Sequence, residues 1–109
     1  MANGGMDVIA QCVKKLNDYK DDKDALKDYL DMMRVWFGDV LKYKSTRNDD
    51  ELVFQESLTE IKQLSDHISF ENINGILDEI NKAEERTKSN VGFDSNMEVM
   101  LLGIKERLQ

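Results

Sequence analysis

Few residues in this sequence are placed to do chemistry. The single histidine, His67, and the single cysteine, Cys12, fall on different expected helices, whereas a zinc site gathers several such ligands at close spacing. No glycine-rich phosphate loop, Gly-x-Ser-x-Gly or His-Glu-x-x-His motif occurs, so neither residue has the setting of a nucleophile or general base. His67, at a helix end, reads as a surface residue, and Cys12, on an apolar stripe, as a packed thiol. Three adjacent acid pairs, Asp21-Asp22, Asp49-Asp50 and Glu84-Glu85, would make acid–base dyads only if burial separated their pKa values. They lie in polar turns or on a polar helix face and read as solvated. The sequence therefore offers no catalytic, cofactor-binding or metal residues, and an enzyme is not the expectation.

Chemistry of recognition is better represented. Tyr29, Trp36 and Tyr43 recur every seven residues, which lines three aromatic side chains along one flank of a helix. Such a row either packs inside a bundle or meets a partner, since aromatics dominate cores and interfaces alike. Lys42, Lys44 and Arg47 beside Tyr43 could touch nucleic acid, but the chain carries a net charge of −7. That field repels phosphate backbones, so direct binding to nucleic acid is not expected.

These residues must be positioned by helices. The 109 residues contain no proline, 40% are hydrophobic and 34% charged, the balance of one soluble domain in which long helices run unbroken. No apolar run approaches the roughly 20 residues of a membrane span. Met1 to Gly5 lack the charged start and apolar core of a secretion signal. The lone Cys12 cannot pair internally, and together these features point to the cytoplasm.

Five helices are expected. Val8, Ile9, Cys12, Val13 and Leu16 form a first apolar stripe. Asp18 to Asp24 then read as a turn, with Asp21 or Asp22 capping a second helix over about 23–44. Leu26, Leu30, Met33, Phe37, Val40 and Lys44 step by four and three along it. With the aromatic row alongside, this helix presents a stripe wide enough for a central position. Gly38 inside it weakens the helix by about 1 kcal/mol relative to alanine; either the close approach of another helix explains tolerating that cost, or the position is a plain local weakness. The third helix carries Leu58, Ile61, Leu64 and Ile68, with Ser57 and Glu60 at capping-box spacing. Ser69 caps the fourth, whose face is Ile73, Ile76, Leu77, Ile80 and Ala83. Asn90 suits the left-handed conformation that stops it. Ser95 and Glu98 form a second capping box before a last helix, and Met97 to Ile104 is apolar on nearly every side, which implies burial on more than one face.

Two stretches go beyond generic helix patterns. Met33-Arg34-Val35-Trp36-Phe37-Gly38-Asp39-Val40-Leu41, followed by Lys42-Tyr43-Lys44, resembles the W-(F/L)-R-D-(L/V)-L helix in the C-terminal domain of bacterial DNA polymerase III delta prime subunits and their gamma/tau relatives. Ile80 to Phe93, running into Met97-Glu98-Val99-Met100-Leu101-Leu102, is similar to that family's I-x-x-A turn, with its asparagine, and the x-x-E-x-L-L-L helix after it. The resemblance covers about Val8 to Leu108 and is strongest to delta prime of clostridia-like Firmicutes. Gly38 stands where the family often has arginine and Gly92 where a second asparagine is common.

The resemblance implies an all-α, single five-helix bundle, the clamp-loader collar domain. Residues 6–109 would form this oligomerisation domain, with 1–5 a linker or an artificial start. The family's nucleotide-binding and lid modules would lie upstream, and delta prime would act as a stator in the ring that places the sliding clamp on DNA. The partners implied are gamma/tau and delta, held through the collar, with no cofactor, membrane or small-molecule substrate. The motif positions Trp36, Tyr43, Asn90 and Glu98 become the candidate partner interface, although Asn90 has a complete structural explanation as a helix stop. An unrelated acidic helical adaptor that binds one protein partner is the alternative.

Overall fold

The computed structural model describes residues 16–109. Within them are helices α1 (Lys23–Thr46), α2 (Leu58–His67), α3 (Phe70–Lys88) and α4 (Phe93–Leu108), with a 3-10 turn, Gln55–Ser57, ahead of α2. No strand occurs among the described residues. The all-α expectation holds, while the count does not: four helices stand there against five expected. Val8, Ile9, Cys12 and Val13 of the expected first stripe, and Met1 to Gly5, lie outside the described residues. The last member of that stripe, Leu16, is buried.

Helix α1 forms where its apolar spacing dictates. Leu26, Leu30, Met33, Phe37 and Val40 are all buried, one face of a 3.6-residue period. The Asp22 carboxylate accepts the Ala25 N–H at 3.0 Å and starts the helix, satisfying one of the donors a helix N-terminus leaves open. At the other end Arg47 takes a left-handed φ of 58° and its N–H donates to the Tyr43 carbonyl, the single-bond left-handed stop. A non-glycine there loses roughly 1–2 kcal/mol, offset by the contacts of its side chain described below. A Cβ added at Gly38 would meet nothing within 4 Å. Among the described residues no helix approaches closely there, so of the two explanations local weakness is the one they leave.

The expected capping box at Ser57 and Glu60 does not form. The 3-10 turn winds the chain before α2, and Ser57, with φ −106° and ψ 18°, makes no side-chain cap bond. The entry is held instead by Asp39 of α1, whose buried carboxylate accepts the Val53 and Phe54 N–H groups at 3.2 and 2.8 Å. Two backbone donors on one carboxylate fasten the 47–57 loop across α1.

Helix α3 begins as expected, with Ser69 Oγ accepting the Asn72 N–H at 3.0 Å. Ile73, Ile76, Ile80 and Ala83 are each 0% exposed, and burying an isoleucine contributes about 1.5–3 kcal/mol. Asn90 stops the helix at φ 64°. The Val91 N–H reaches the Arg86 carbonyl and the Asn90 N–H the Thr87 carbonyl, at 3.0 and 3.3 Å, the paired bonds of a Schellman end.

Helix α4 starts at Phe93 with Gly92 as its cap residue, so the second expected capping box is absent as well. Ser95 already sits inside the first turn. Asn96, Met97, Met100, Leu101 and Ile104 are buried, but Val99 and Leu102 are 50% and 53% exposed. The all-round apolar stretch is thus covered on one side, not several.

The helices stack in the order α2, α1, α3, α4. Helix α1 packs on both α2 and α3, and α3 packs on α4, so α1 is central as its wide stripe implied. Lys44 lies over Phe70 while Arg34 bonds Asn81 and Glu84, which makes α1 and α3 antiparallel. Across α3 and α4, a Cβ at Gly75 would overlap Arg107 and one at Gly103 would overlap Glu79. The two glycines let these long side chains lie flat across the crossing. No described helix is long and apolar enough to cross a membrane.

Candidate protein-assembly surface

The four motif residues do not converge. Trp36 and Tyr43 lie two turns apart on one flank of α1, whereas Asn90 and Glu98 belong to the α3–α4 corner and are exposed. Tyr43 stands beside the start of α3 and Asn90 at its far end, about 28 Å away for 19 residues at 1.5 Å each. Asn90 is accounted for by its left-handed backbone. Glu98 projects from the outer face of α4, next to Val99 and Leu102.

Tyr43 is engaged inside the molecule. Its half-buried ring has the Arg47 guanidinium 5.5 Å and the Lys62 ammonium 5.7 Å from its centroid, both within cation–π reach. Arg47 also pairs with Asp66 at 2.7 Å, and Lys62 with Asp49 at 2.9 Å. The hydrogen bond from Arg47 holds the Asp66 carboxyl below its ordinary range, and that from Lys62 does the same for Asp49. The remaining cations are also in use. Lys44 donates to the Ser65 carbonyl at 3.0 Å and Lys42 pairs with Glu51 at 3.5 Å. Of the Lys42, Lys44 and Arg47 cluster, Lys42 and Arg47 are thus paired with carboxylates, while Lys44 is held by a carbonyl and the Phe70 ring.

Trp36 has a different setting. Its ring meets Phe37 edge-on, 5.1 Å between centroids at 79°, and is half-buried against the core. Around it the surface is apolar. Met32 is 44% exposed, Val35 40% and Val53 67%. Met32 and Val35 precede Trp36 on the same flank by four and one residues, and the bond from the Val53 N–H to Asp39 seats Val53 one turn above Val35. The flank faces away from α3, because Arg34 on the opposite side of α1 carries the α1–α3 contacts. Helix α2 meets α1 near its C-terminal end, where Lys44 donates to the Ser65 carbonyl and Lys62 lies over the Tyr43 ring, two turns beyond Trp36. Contiguous exposed apolar side chains of this kind mark interaction surfaces.

Three polar residues that tie the elements together had no visible role in the sequence. Arg34 donates to Asn81 Oδ1 at 2.7 Å and Glu84 Oε1 at 2.6 Å, and also to Asp31. The hydrogen bond from Arg34 holds the Glu84 carboxyl below its usual range. Asp39 and Asn96 are buried at 4% and 1% exposure. Asn96 Nδ2 donates to the Ala83 carbonyl and Thr87 Oγ1 at 2.9 and 3.0 Å, while its Oδ1 accepts from Arg86 Nε at 2.7 Å. Their partners come from other elements, so only a buried polar residue within an apolar stripe could have hinted at them. None of these groups forms a metal site: among the described residues no three His, Cys, Asp or Glu side chains gather to hold an ion.

The described residues thus supply a helical platform with an apolar flank. No curated protein and no solved structure matches the chain. A family model described as DNA polymerase III, delta subunit, C terminal, matches residues 7–104, and the chain belongs to that family of clamp-loader subunit domains.

Proposed function

We propose that this is a non-catalytic assembly domain, the collar of a DNA polymerase III clamp loader, and that within the family it is a delta prime domain. The family match over 7–104 carries the clamp-loader reading. The delta prime reading rests on the two ordered motifs, Met33–Leu41 and Ile80–Leu102. Gamma/tau and delta subunits would be its neighbours, and the domain would work in the cytoplasm, where replication takes place.

Its action is thermodynamic. A domain that binds its neighbours holds their attached modules at high effective concentration, so a ring of motor modules stays together through each clamp-loading cycle. The association energy would come from apolar surface such as Met32, Val35 and Val53, exposed in the isolated domain, with the half-buried Trp36 beside them, all covered in the ring. The test mixes the purified chain with gamma/tau and delta subunits from the same organism and measures the mass by size-exclusion chromatography with light scattering. One copy of this chain in a defined complex supports a single stator. Several copies would point to a gamma/tau role, and separate elution at tens of micromolar would reject the assembly reading.

A further inference from the structure

The apolar flank of α1 has a rim of one sign. Asp28 and Asp24 stand one and two turns below Met32 on the same side of the helix, and both are exposed. Asp50, Glu51 and Glu56, also exposed, bracket Val53 in sequence at the upper end. Among the described residues the cation on this flank is Lys42, and its charge is used by Glu51 at 3.5 Å. On the far side of α1, Lys27 pairs with Asp31 at 3.0 Å and Arg34 with Asp31 and Glu84. With Glu51 so paired, Asp24, Asp28, Asp50 and Glu56 are left without a cation partner among the described residues. An apolar centre within such a rim selects its partner by charge. It attracts a basic-rimmed surface and repels a copy of itself.

Resting on the assembly reading above, we infer that the Met32–Val35–Trp36–Val53 flank receives a neighbouring clamp-loader subunit whose apolar ridge is bordered by lysines and arginines, and that it rejects a second copy of this chain. The net charge of −7 reinforces the rejection. The neighbour's ridge fills the apolar centre, and its cations meet Asp28 and Glu56 at the edges. Rim charges of this kind set association rate and specificity, while the centre sets residence time.

The test measures affinity for the purified gamma/tau subunit by titration calorimetry in 0.1 M and 1 M NaCl, a range over which the screening length falls from about 10 to about 3 Å. The double substitution Asp28→Lys with Glu56→Lys should weaken binding roughly tenfold at 0.1 M and leave little difference at 1 M. Val35→Ser should weaken it at both salts. Asp78→Lys with Glu85→Lys, on the exposed outer face of α3, serves as the charge control and should leave affinity unchanged. All variants change exposed residues, and circular dichroism checks that each remains folded. A wild-type complex indifferent to the Asp28/Glu56 reversal would overturn this inference while leaving the assembly reading standing. A homodimer of this chain that hides Trp36 would overturn it too, and failure of the wild-type chain to bind any loader subunit would overturn both.

Discussion

Asp39 separates the two roles that a motif residue can have. It belongs to the W-F-G-D-V-L stretch, yet its carboxylate faces inward and accepts the Val53 and Phe54 N–H groups at 3.2 and 2.8 Å. Replacing it by alanine leaves both donors without an acceptor. A hydrogen bond to a charged group contributes about 1.5–3 kcal/mol, and an orphaned buried donor costs a similar amount. Val53 is 67% exposed, so water replaces its lost bond cheaply, whereas Phe54 is packed against the core. The net loss for Asp39→Ala is therefore about 2 kcal/mol, close to one charge-assisted bond, and Tm should fall by about 8 °C. Urea unfolding followed by circular dichroism reads this directly. Asparagine should recover part of the loss, since its carbonyl oxygen accepts one bond. The loop carrying Val53 would also loosen, so binding to gamma/tau should weaken in proportion. Unchanged stability with abolished binding would refute the reasoning and make Asp39 a contact residue.

Asn96→Ala should destabilise by about 3 kcal/mol in urea unfolding, because it strips partners from Ala83, Thr87 and Arg86 in a site 1% exposed; a loss below 1 kcal/mol would contradict the geometry. Gly38→Ala should stabilise by up to about 1 kcal/mol, since its Cβ meets nothing within 4 Å in a helix interior; destabilisation would reveal a contact made in that position. Stability should fall on acidification. Asp31, Asp49, Asp66 and Glu84 are held below their ordinary values of 3.8 to 4.5 by Lys27, Lys62, Arg47 and Arg34 respectively. Depressed carboxyls contribute stability that is present above the unfolded values and lost as pH drops through the folded ones, so urea midpoints should hold to about pH 5 and decline below it. Glu84→Gln should flatten part of that decline, and an unchanged acid limb would count against the Arg34 pairing.

Periodicity made most of the fold legible. The 26-30-33-37-40 stripe and the 73-76-80-83 face both bury as spaced, because a helix face needs only local information. Ser69 and Asn90 were equally readable, each acting on backbone groups within a few residues. The two capping boxes failed for a related reason. Spacing alone does not fix where a helix begins, and α2 is entered through a 3-10 turn pinned by Asp39 of another helix, while α4 starts two residues before Ser95. Exposure was harder still. Val99 and Leu102 lie on an apolar helix yet face outward, a fact set by which side meets α3. The aromatic row divided in the same way. Tyr29 meets Tyr19 with the rings tilted and 5.6 Å apart, and Tyr43 is flanked by Arg47 and Lys62, which leaves Trp36 as the aromatic beside the exposed apolar flank.

Trp36 is the sole tryptophan of the chain, so it reports on the proposed interface without interference. Incorporating 5-fluorotryptophan gives one fluorine signal, which can be followed while unlabelled gamma/tau is added. The assembly account predicts that this signal shifts or broadens saturably, in step with complex formation seen by light scattering, and that solvent access to the ring falls. A complex that forms while the Trp36 signal stays in place would put the interface elsewhere, and no complex at all would contradict assembly as the function of this domain.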